Sequence, residues 1–124
     1  MILNLKSASG IRLAVLQPRK LSVFTVNTWG EGKDNGCQKP IKVLFEHNLS
    51  THALALTIGP FGGLINEDHL CVQSLCGRLS FFEHERVGIC CQLPHFLLPS
   101  AISYSPASDS FIVCDAAWNL QSYK

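Results

Sequence analysis

One hairpin pattern occurs three times in this chain. From His69 to His84 the residues read His-Leu-Cys-Val-Gln-Ser, Leu-Cys-Gly-Arg and Leu-Ser-Phe-Phe-Glu-His. An apolar run, a turn with Gly77 and a second run with adjacent aromatics are the marks of a β-hairpin. Gly77 supplies the positive φ that a tight turn demands at no steric cost. Upstream, Arg12-Leu13-Ala14-Val15-Leu16 is followed by Gln17-Pro18-Arg19 and Lys20-Leu21-Ser22-Val23-Phe24. Downstream, Ser110-Phe111-Ile112-Val113-Cys114 is followed by Asp115-Ala116-Ala117-Trp118 and Asn119-Leu120-Gln121-Ser122-Tyr123. Each copy holds a hydrophobic strand, a short turn, a polar residue, a leucine, and an aromatic three residues beyond it.

The equivalent leucines, Leu21, Leu79 and Leu120, lie about 58 and about 41 residues apart, near the kelch and WD40 periods. At such spacing each copy is one antiparallel sheet, a β-propeller blade; three unrelated hairpins in a β-sandwich are the alternative. No segment of about ten residues carries capped helical spacing, so the fold class is all-β. A propeller closes with about four to eight blades. This chain supplies about two and a half four-stranded blades, divided at roughly 1–48, 52–93 and 98–124. Borders left open in mid-blade strand unpaired backbone groups, so the expectation is a fragment of a longer propeller.

Along the chain, Met1–Ser9 is ambiguous between an inner strand and an irregular start. Ile11–Leu16 and Lys20–Val26 form the first hairpin, with Pro18 in its turn. Asn27–Pro40, rich in Gly, Asp and Asn, is a long loop. Ile41–His47 alternates, with Ile41, Val43 and Phe45 on one face and Lys42, Leu44 and Glu46 on the other, as a half-exposed outer strand does. Asn48–Thr51 is a polar connection, and Ala53–Ile58 an inner strand of small residues. Gly59-Pro60-Phe61-Gly62-Gly63 is a sharp turn, and Leu64–Asp68 leads into the central hairpin. Arg86–Leu93 is an outer strand and Pro94–Pro99 a link. Ala101–Ser105 is the next inner strand, and Pro106–Asp109 a plain turn.

The chain is 47% hydrophobic and 15% charged, which suits sheets covered on both faces. A net charge of +1 gives no case for a nucleic-acid or anionic-membrane partner. No apolar run approaches the roughly 20 residues of a membrane span, and Met1–Lys6 lacks the layout of a secretory signal. The six cysteines are Cys37, Cys71, Cys76, Cys90, Cys91 and Cys114. Without a secretory context an even count is weak evidence for disulfides. Cys71, Cys90, Cys91 and Cys114 lie in apolar runs, where a free cysteine behaves as a small buried hydrophobe. Reduced thiols in a cytosolic protein are the expectation.

Metal-ligand candidates are His69, Cys71, Cys76, His84, Cys90 and Cys91. Cys71 and Cys76 straddle a turn, but Cys90 and Cys91 are adjacent and point to opposite faces of a strand, which disfavours zinc. Cys76 beside Gly77 has histidines within the chain but no acidic orienter placed by sequence. Gly59, Gly62 and Gly63 lack the Gly-Lys-Ser/Thr ending of a phosphate loop. Asn48-Leu49-Ser50 is a glycosylation sequon that matters only in the secretory pathway. Trp29 and Trp118 stand in or beside turns. An exposed Trp there can anchor a partner, but one folded back over its own hairpin is the commoner arrangement. No catalytic, cofactor-binding or metal residue is assigned, and the chain is expected not to be an enzyme.

From Ile11 to Lys124 the chain resembles part of the N-terminal β-propeller of the Bardet-Biedl syndrome 9 protein family. The resemblance is carried by Leu13-Ala14-Val15-Leu16 with Arg19-Lys20-Leu21, Glu46-His47-Asn48-Leu49 and Phe61-Gly62-Gly63. It continues through Phe96-Leu97-Leu98-Pro99, Ala107-Ser108-Asp109-Ser110-Phe111 and Gln121-Ser122-Tyr123-Lys124, in the family's order. It implies a non-enzymatic scaffold segment of the BBSome, the octameric coat-like adaptor that moves membrane proteins into and out of cilia. The implied partners are the other Bardet-Biedl syndrome subunits. The ciliary membrane and an Arf-like small GTPase would be reached through the complex, with no cofactor, nucleic acid or small-molecule substrate. The implied places are cytoplasm, cilium, basal body and centriolar region. A small self-contained β-domain with a cysteine/histidine metal or thiol site is the alternative.

Overall fold

The three hairpin copies stand in three separate sheets. The computed structural model describes residues 2–7, 10–26, 41–63 and 66–124. The loop expected over Asn27–Pro40, with Trp29 and Cys37, lies outside the described residues. The first sheet holds β1 (Ile2–Ser7), β2 (Gly10–Gln17), β3 (Lys20–Val26) and β4 (Ile41–Asn48). The second holds β5 (Ala53–Gly59), β6 (His69–Ser74), β7 (Arg78–Glu83) and β8 (Arg86–Gln92). The third holds β9 (Leu97–Ser105), β10 (Ser110–Asp115) and β11 (Leu120–Tyr123). Every neighbouring pair is antiparallel and consecutive in sequence. The fold is all-β, a partial β-propeller. Leu21, Leu79 and Leu120 fall in the third strand of their respective sheets.

The middle sheet explains the low charge. Along β6, Leu70 and Val72 pack with Ala14, Leu16, Leu21 and Val23 of the first sheet. Cys71, between them in sequence, packs with Leu79 and Val113 towards the third sheet. A strand covered on both faces has no solvent side to show, so β6 is buried without a break from Leu70 to Ser74. Phe82 faces the first sheet, its ring edge-on to His47 at 5.1 Å. Phe81, its neighbour, faces the third, edge-on to Phe111 at 4.9 Å.

Of the two alternatives for the start, the structure has the strand: β1 pairs to β2 from Ile2 with Val15 to Ser7 with Gly10. Three expectations are corrected. In β4 the alternation breaks: Val23 faces Phe45 and Phe24 faces Val43, so Leu44 is an extra, bulged residue. Leu44 and Phe45 therefore both pack on the core, while Ile41 and Val43 are more than half exposed. The link expected over Pro94–Pro99 ends early, because β9 begins at Leu97. Its pairing with β10 runs from Ser105 to Ile102 and resumes only at Leu97 with Asp115; Pro99, with no N–H to give, sits in the gap. Finally, Cys90 and Cys91 are exposed, not buried, because β8 is a sheet border.

The two linkers between sheets are built alike. Leu49 N–H donates to Arg19 O at 2.8 Å and Ala53 N–H to Pro18 O at 2.7 Å, tying the first linker to the preceding hairpin turn. Leu75 N–H donates to His52 O at 3.0 Å, tying the same linker to the following turn. In the second linker Leu93 N–H donates to Gly77 O at 2.9 Å, and Ala116 N–H donates to Phe96 O at 2.9 Å. Each linker is thus clasped by the turn before it and the turn after it. Leu49 and Leu93 take the same place in the repeat, and both pack into the core between sheets.

Candidate interaction surfaces

Two surfaces carry the chemistry available here: the joint between the second and third sheets, and the side of the molecule formed by the linkers and hairpin turns. At the joint, Phe61 meets Tyr104 at 4.7 Å and Phe111 at 4.8 Å between ring centroids. The Phe61–Tyr104 pair is edge-to-face and the Phe61–Phe111 pair tilted, and such offset ring packing favours one orientation. Tyr104 donates its hydroxyl to Asp109 Oδ1 at 2.5 Å and also reaches Pro60 O at 3.1 Å. Gly62 N–H donates to the same Asp109 oxygen at 3.0 Å. The Tyr104 hydroxyl and the Gly62 N–H hold the Asp109 carboxyl below its ordinary range. The same carboxylate, with burial, pushes Tyr104 up to about 12. The turn expected to be plain therefore pins two sheets together, with Asp109 itself at φ 48°.

The β10–β11 turn is organised by a second carboxylate. Asp115, 1% exposed, accepts from Ala117 N–H and Asn119 N–H, both at 2.9 Å, and from Asn119 Nδ2 at 3.2 Å. These donors, the Asn119 backbone first, hold its carboxyl below its usual range. The turn drives Trp118 to φ 65° and leaves it 81% exposed. That corrects the expectation that Trp118 folds back over its hairpin. On the linker and turn beside it, Phe96 is 63% and Leu75 52% exposed. Phe96 lines a groove of about 460 Å³ together with Cys76, Leu93, His95 and Ala117.

The residues weighed in the sequence as metal-ligand candidates lie in different settings. Cys71 is fully buried, and burial, with a smaller contribution from Cys91, pushes its thiol far up. Cys76 lies in the β6–β7 turn, and His84 in the β7–β8 turn at φ 55°. Among the described residues no group of three or more His, Cys, Asp or Glu side chains is placed to hold a metal ion. Cys90 has a setting that sequence did not show. Arg78 Nη2 donates to its sulfur at 3.3 Å, and its S–H reaches Ser80 Oγ at 3.6 Å. Burial raises this thiol, but Arg78 and Ser80 outweigh that and hold it below its ordinary value. In a timed iodoacetamide reaction read by mass spectrometry, Cys90 is expected to label well before Cys71. Arg78→Ala is expected to slow Cys90 labelling several-fold, by about 3–10 times.

Residues 3–124 match the family model described as PTHB1 N-terminal. The chain is similar to Protein PTHB1 of Xenopus laevis, 44% identical over 114 residues, which are 92% of this chain and 13% of that protein. Protein PTHB1 of Mus musculus is 43% identical and that of Homo sapiens 40% identical over the same shares. The chain thus spans about an eighth of the length of the curated relatives it matches. The match corrects the designation expected from the sequence. The Bardet-Biedl syndrome 9 label gives way to PTHB1 N-terminal, PTHB1 being the Bardet-Biedl syndrome 9 protein. With the match covering nearly every residue, the chain belongs to the PTHB1 N-terminal family.

Proposed function

We propose that this chain is a non-enzymatic scaffold segment of a BBSome subunit, acting in ciliary membrane-protein trafficking and cilium assembly. Its partners are the other subunits of that complex. The ciliary membrane and an Arf-like small GTPase are reached through them, and nucleic acids and small-molecule substrates have no part. Its places of work are the cytoplasm, cilium, basal body and centriolar region. The observation that carries this reading is the exposed apolar set Leu75, Phe96 and Trp118; Phe96 lines a groove on the second linker, and Cys76 and Ala117, the chain neighbours of the other two, line it as well. Tryptophan exposed beside a groove is costly to leave in water and typical of residues that dominate protein interfaces. Family membership supports the same reading.

The test is co-expression with the other BBSome subunits and quantitative co-purification. The protein is expected to assemble, and the double variant Phe96→Ser, Trp118→Ser to lose about 90% or more of that assembly. Both side chains are exposed, so the variant should keep its far-ultraviolet circular dichroism. A protein that never co-purifies, or a double variant that assembles like the wild type, sinks the reading.

A further inference from the structure

We infer that the side built from the linkers and hairpin turns takes an extended segment of a protein partner with two different ends. A carboxylate end sits on Arg19, and an apolar end sits against Leu75, Phe96 and Trp118. The inference rests on the scaffold function proposed above and names the partner chemistry of that same surface.

Backbone hydrogen bonds fix the order of the pieces along this side. The first linker donates to Arg19 O and Pro18 O of the β2–β3 turn, and its His52 O accepts from the β6–β7 turn. The second linker donates to Gly77 O of that same turn, and its Phe96 O accepts from the β10–β11 turn. Arg19 therefore stands at one end of a row, His52 and Leu75 in its middle, and Phe96 and Trp118 at the other end. A partner that meets both ends crosses the ends of three sheets, which suits an extended segment.

Charge selects the chemistry of that segment. The two linkers and the three turns that clasp them contain no Asp or Glu, while Arg19, His52 and His95 stand exposed there. The carboxylates that flank these pieces are already engaged. Glu46 is paired to Lys20 at 2.7 Å and accepts from Ser22. Asp115 is 1% exposed and bonded within its own turn. Among the described residues, acid collects at the other end of the sheets, at Glu67, Asp68, Glu83, Glu85 and Asp109, against Arg86 and Lys124. Arg19 is also held ready: its Nη2 donates to Ser50 O at 3.0 Å, and the other donors of the fork meet no carboxylate of their own side.

One fixed guanidinium suits a carboxylate, which it can bond through two parallel N–H groups. A lipid surface or a nucleic-acid backbone calls for several cations together. Here Lys20 and Arg78, the cations that begin the strands after these turns, are engaged by Glu46 and Cys90. The exposed apolar side chains further along the row would meet neither phosphate nor sugar, but they suit aliphatic or aromatic residues of a polypeptide.

The experiment is co-assembly with the other BBSome subunits, read as apparent affinity at low and high salt. Arg19→Glu is expected to weaken assembly about tenfold or more at low salt, with a loss that shrinks as salt rises. Arg19→Gln, which can still donate to Ser50 O, is expected to lose about threefold to tenfold and to keep its far-ultraviolet circular dichroism. Arg86→Glu, at the other end of the sheets, should stay within about twofold. The loss caused by Trp118→Ser is expected not to change with salt, because it removes apolar contact. Zero-length carbodiimide coupling of the assembled Arg19→Lys variant, read by mass spectrometry, is expected to join position 19 to an Asp or Glu of another subunit. An assembly that forms while Arg19→Glu binds like the wild type, while Arg86→Glu loses as much as Arg19→Glu, or while position 19 couples to no other subunit, overturns this inference and leaves the proposed function standing. Failure to assemble at all overturns both. Binding to phosphatidylserine vesicles that Arg19→Glu abolishes, with assembly unchanged, assigns this side to a lipid surface and overturns the inference too.

Discussion

Phe82→Ala is expected to cost about 3–5 kcal/mol of stability, the range for removing a large aromatic from a packed core. Phe82 is 2% exposed and lies where the first and second sheets meet, among Leu21, Val23, Leu56 and Val72. The loss has two parts: the transfer of the ring from water, and the cavity left behind. The second part is large when the walls cannot close. Here both walls are sheets whose spacing is fixed by the linker clasps at Arg19–Leu49 and His52–Leu75. His47 would also lose its edge-on partner. Urea unfolding followed by circular dichroism measures the effect. Phe82→Leu keeps much of the volume and should cost about 1–1.5 kcal/mol, whereas Phe96→Ala, at an exposed site, should stay within about 0.5 kcal/mol. Equal effects at Phe82 and Phe96 would mean that the two sheets do not pack as described.

Gly77→Ala is the second large effect, expected at about 2–4 kcal/mol. Gly77 sits at φ 82° in the β6–β7 turn, where a residue with a Cβ is strained by about 1–2 kcal/mol. A Cβ there would lie 2.4 Å from His95 O and 3.3 Å from Leu93 O. Those atoms are backbone of the second linker, so relief requires moving the linker and stretching the Leu93–Gly77 hydrogen bond. Gly62→Ala separates the two causes. Gly62 has φ 77°, and a Cβ there meets nothing within 4 Å, so that variant should show the backbone cost alone, about 1 kcal/mol. If Gly77→Ala costs no more than Gly62→Ala, the linker does not lie against the turn.

The hairpins were legible because their signals are local. An apolar run, Pro18 or Gly77 at a turn, and the Leu-to-aromatic spacing lie within a few residues of one another. Their separation into three sheets was legible from the intervals between Leu21, Leu79 and Leu120. What escaped depends on residues far away in the chain. The bulge at Leu44 is set by how β3 and β4 slide together, and no property of Ile41–His47 alone announces it. Cys90 and Cys91 occupy a run as apolar as that of Cys71, yet they lie on a border strand while Cys71 lies between two sheets. Leu120 repeats the pattern of Leu21 and Leu79 but is 75% exposed, since the described residues place no sheet against that face. The Asp109 contact joins positions 47 residues apart, so Pro106–Asp109 read as an ordinary turn. Leu49 and Leu93, one in a connection and one at a strand's end, showed their equivalence only through matched hydrogen bonds. The polar residue before each, Asn48 and Gln92, was the available signal.

The doubly clasped linkers also govern where the polypeptide can change length. One added residue between Leu49 and Ala53, or between Leu93 and Phe96, would put out of step the linker N–H groups that donate to the turn before and the linker carbonyl that accepts from the turn after, and tilt neighbouring sheets apart. At His84-Glu85, exposed and, among the described residues, hydrogen-bonded through its backbone to no linker, an insertion would lengthen only its own reversal. Homologous chains should therefore vary in size at that outer tip and keep the two short crossings constant.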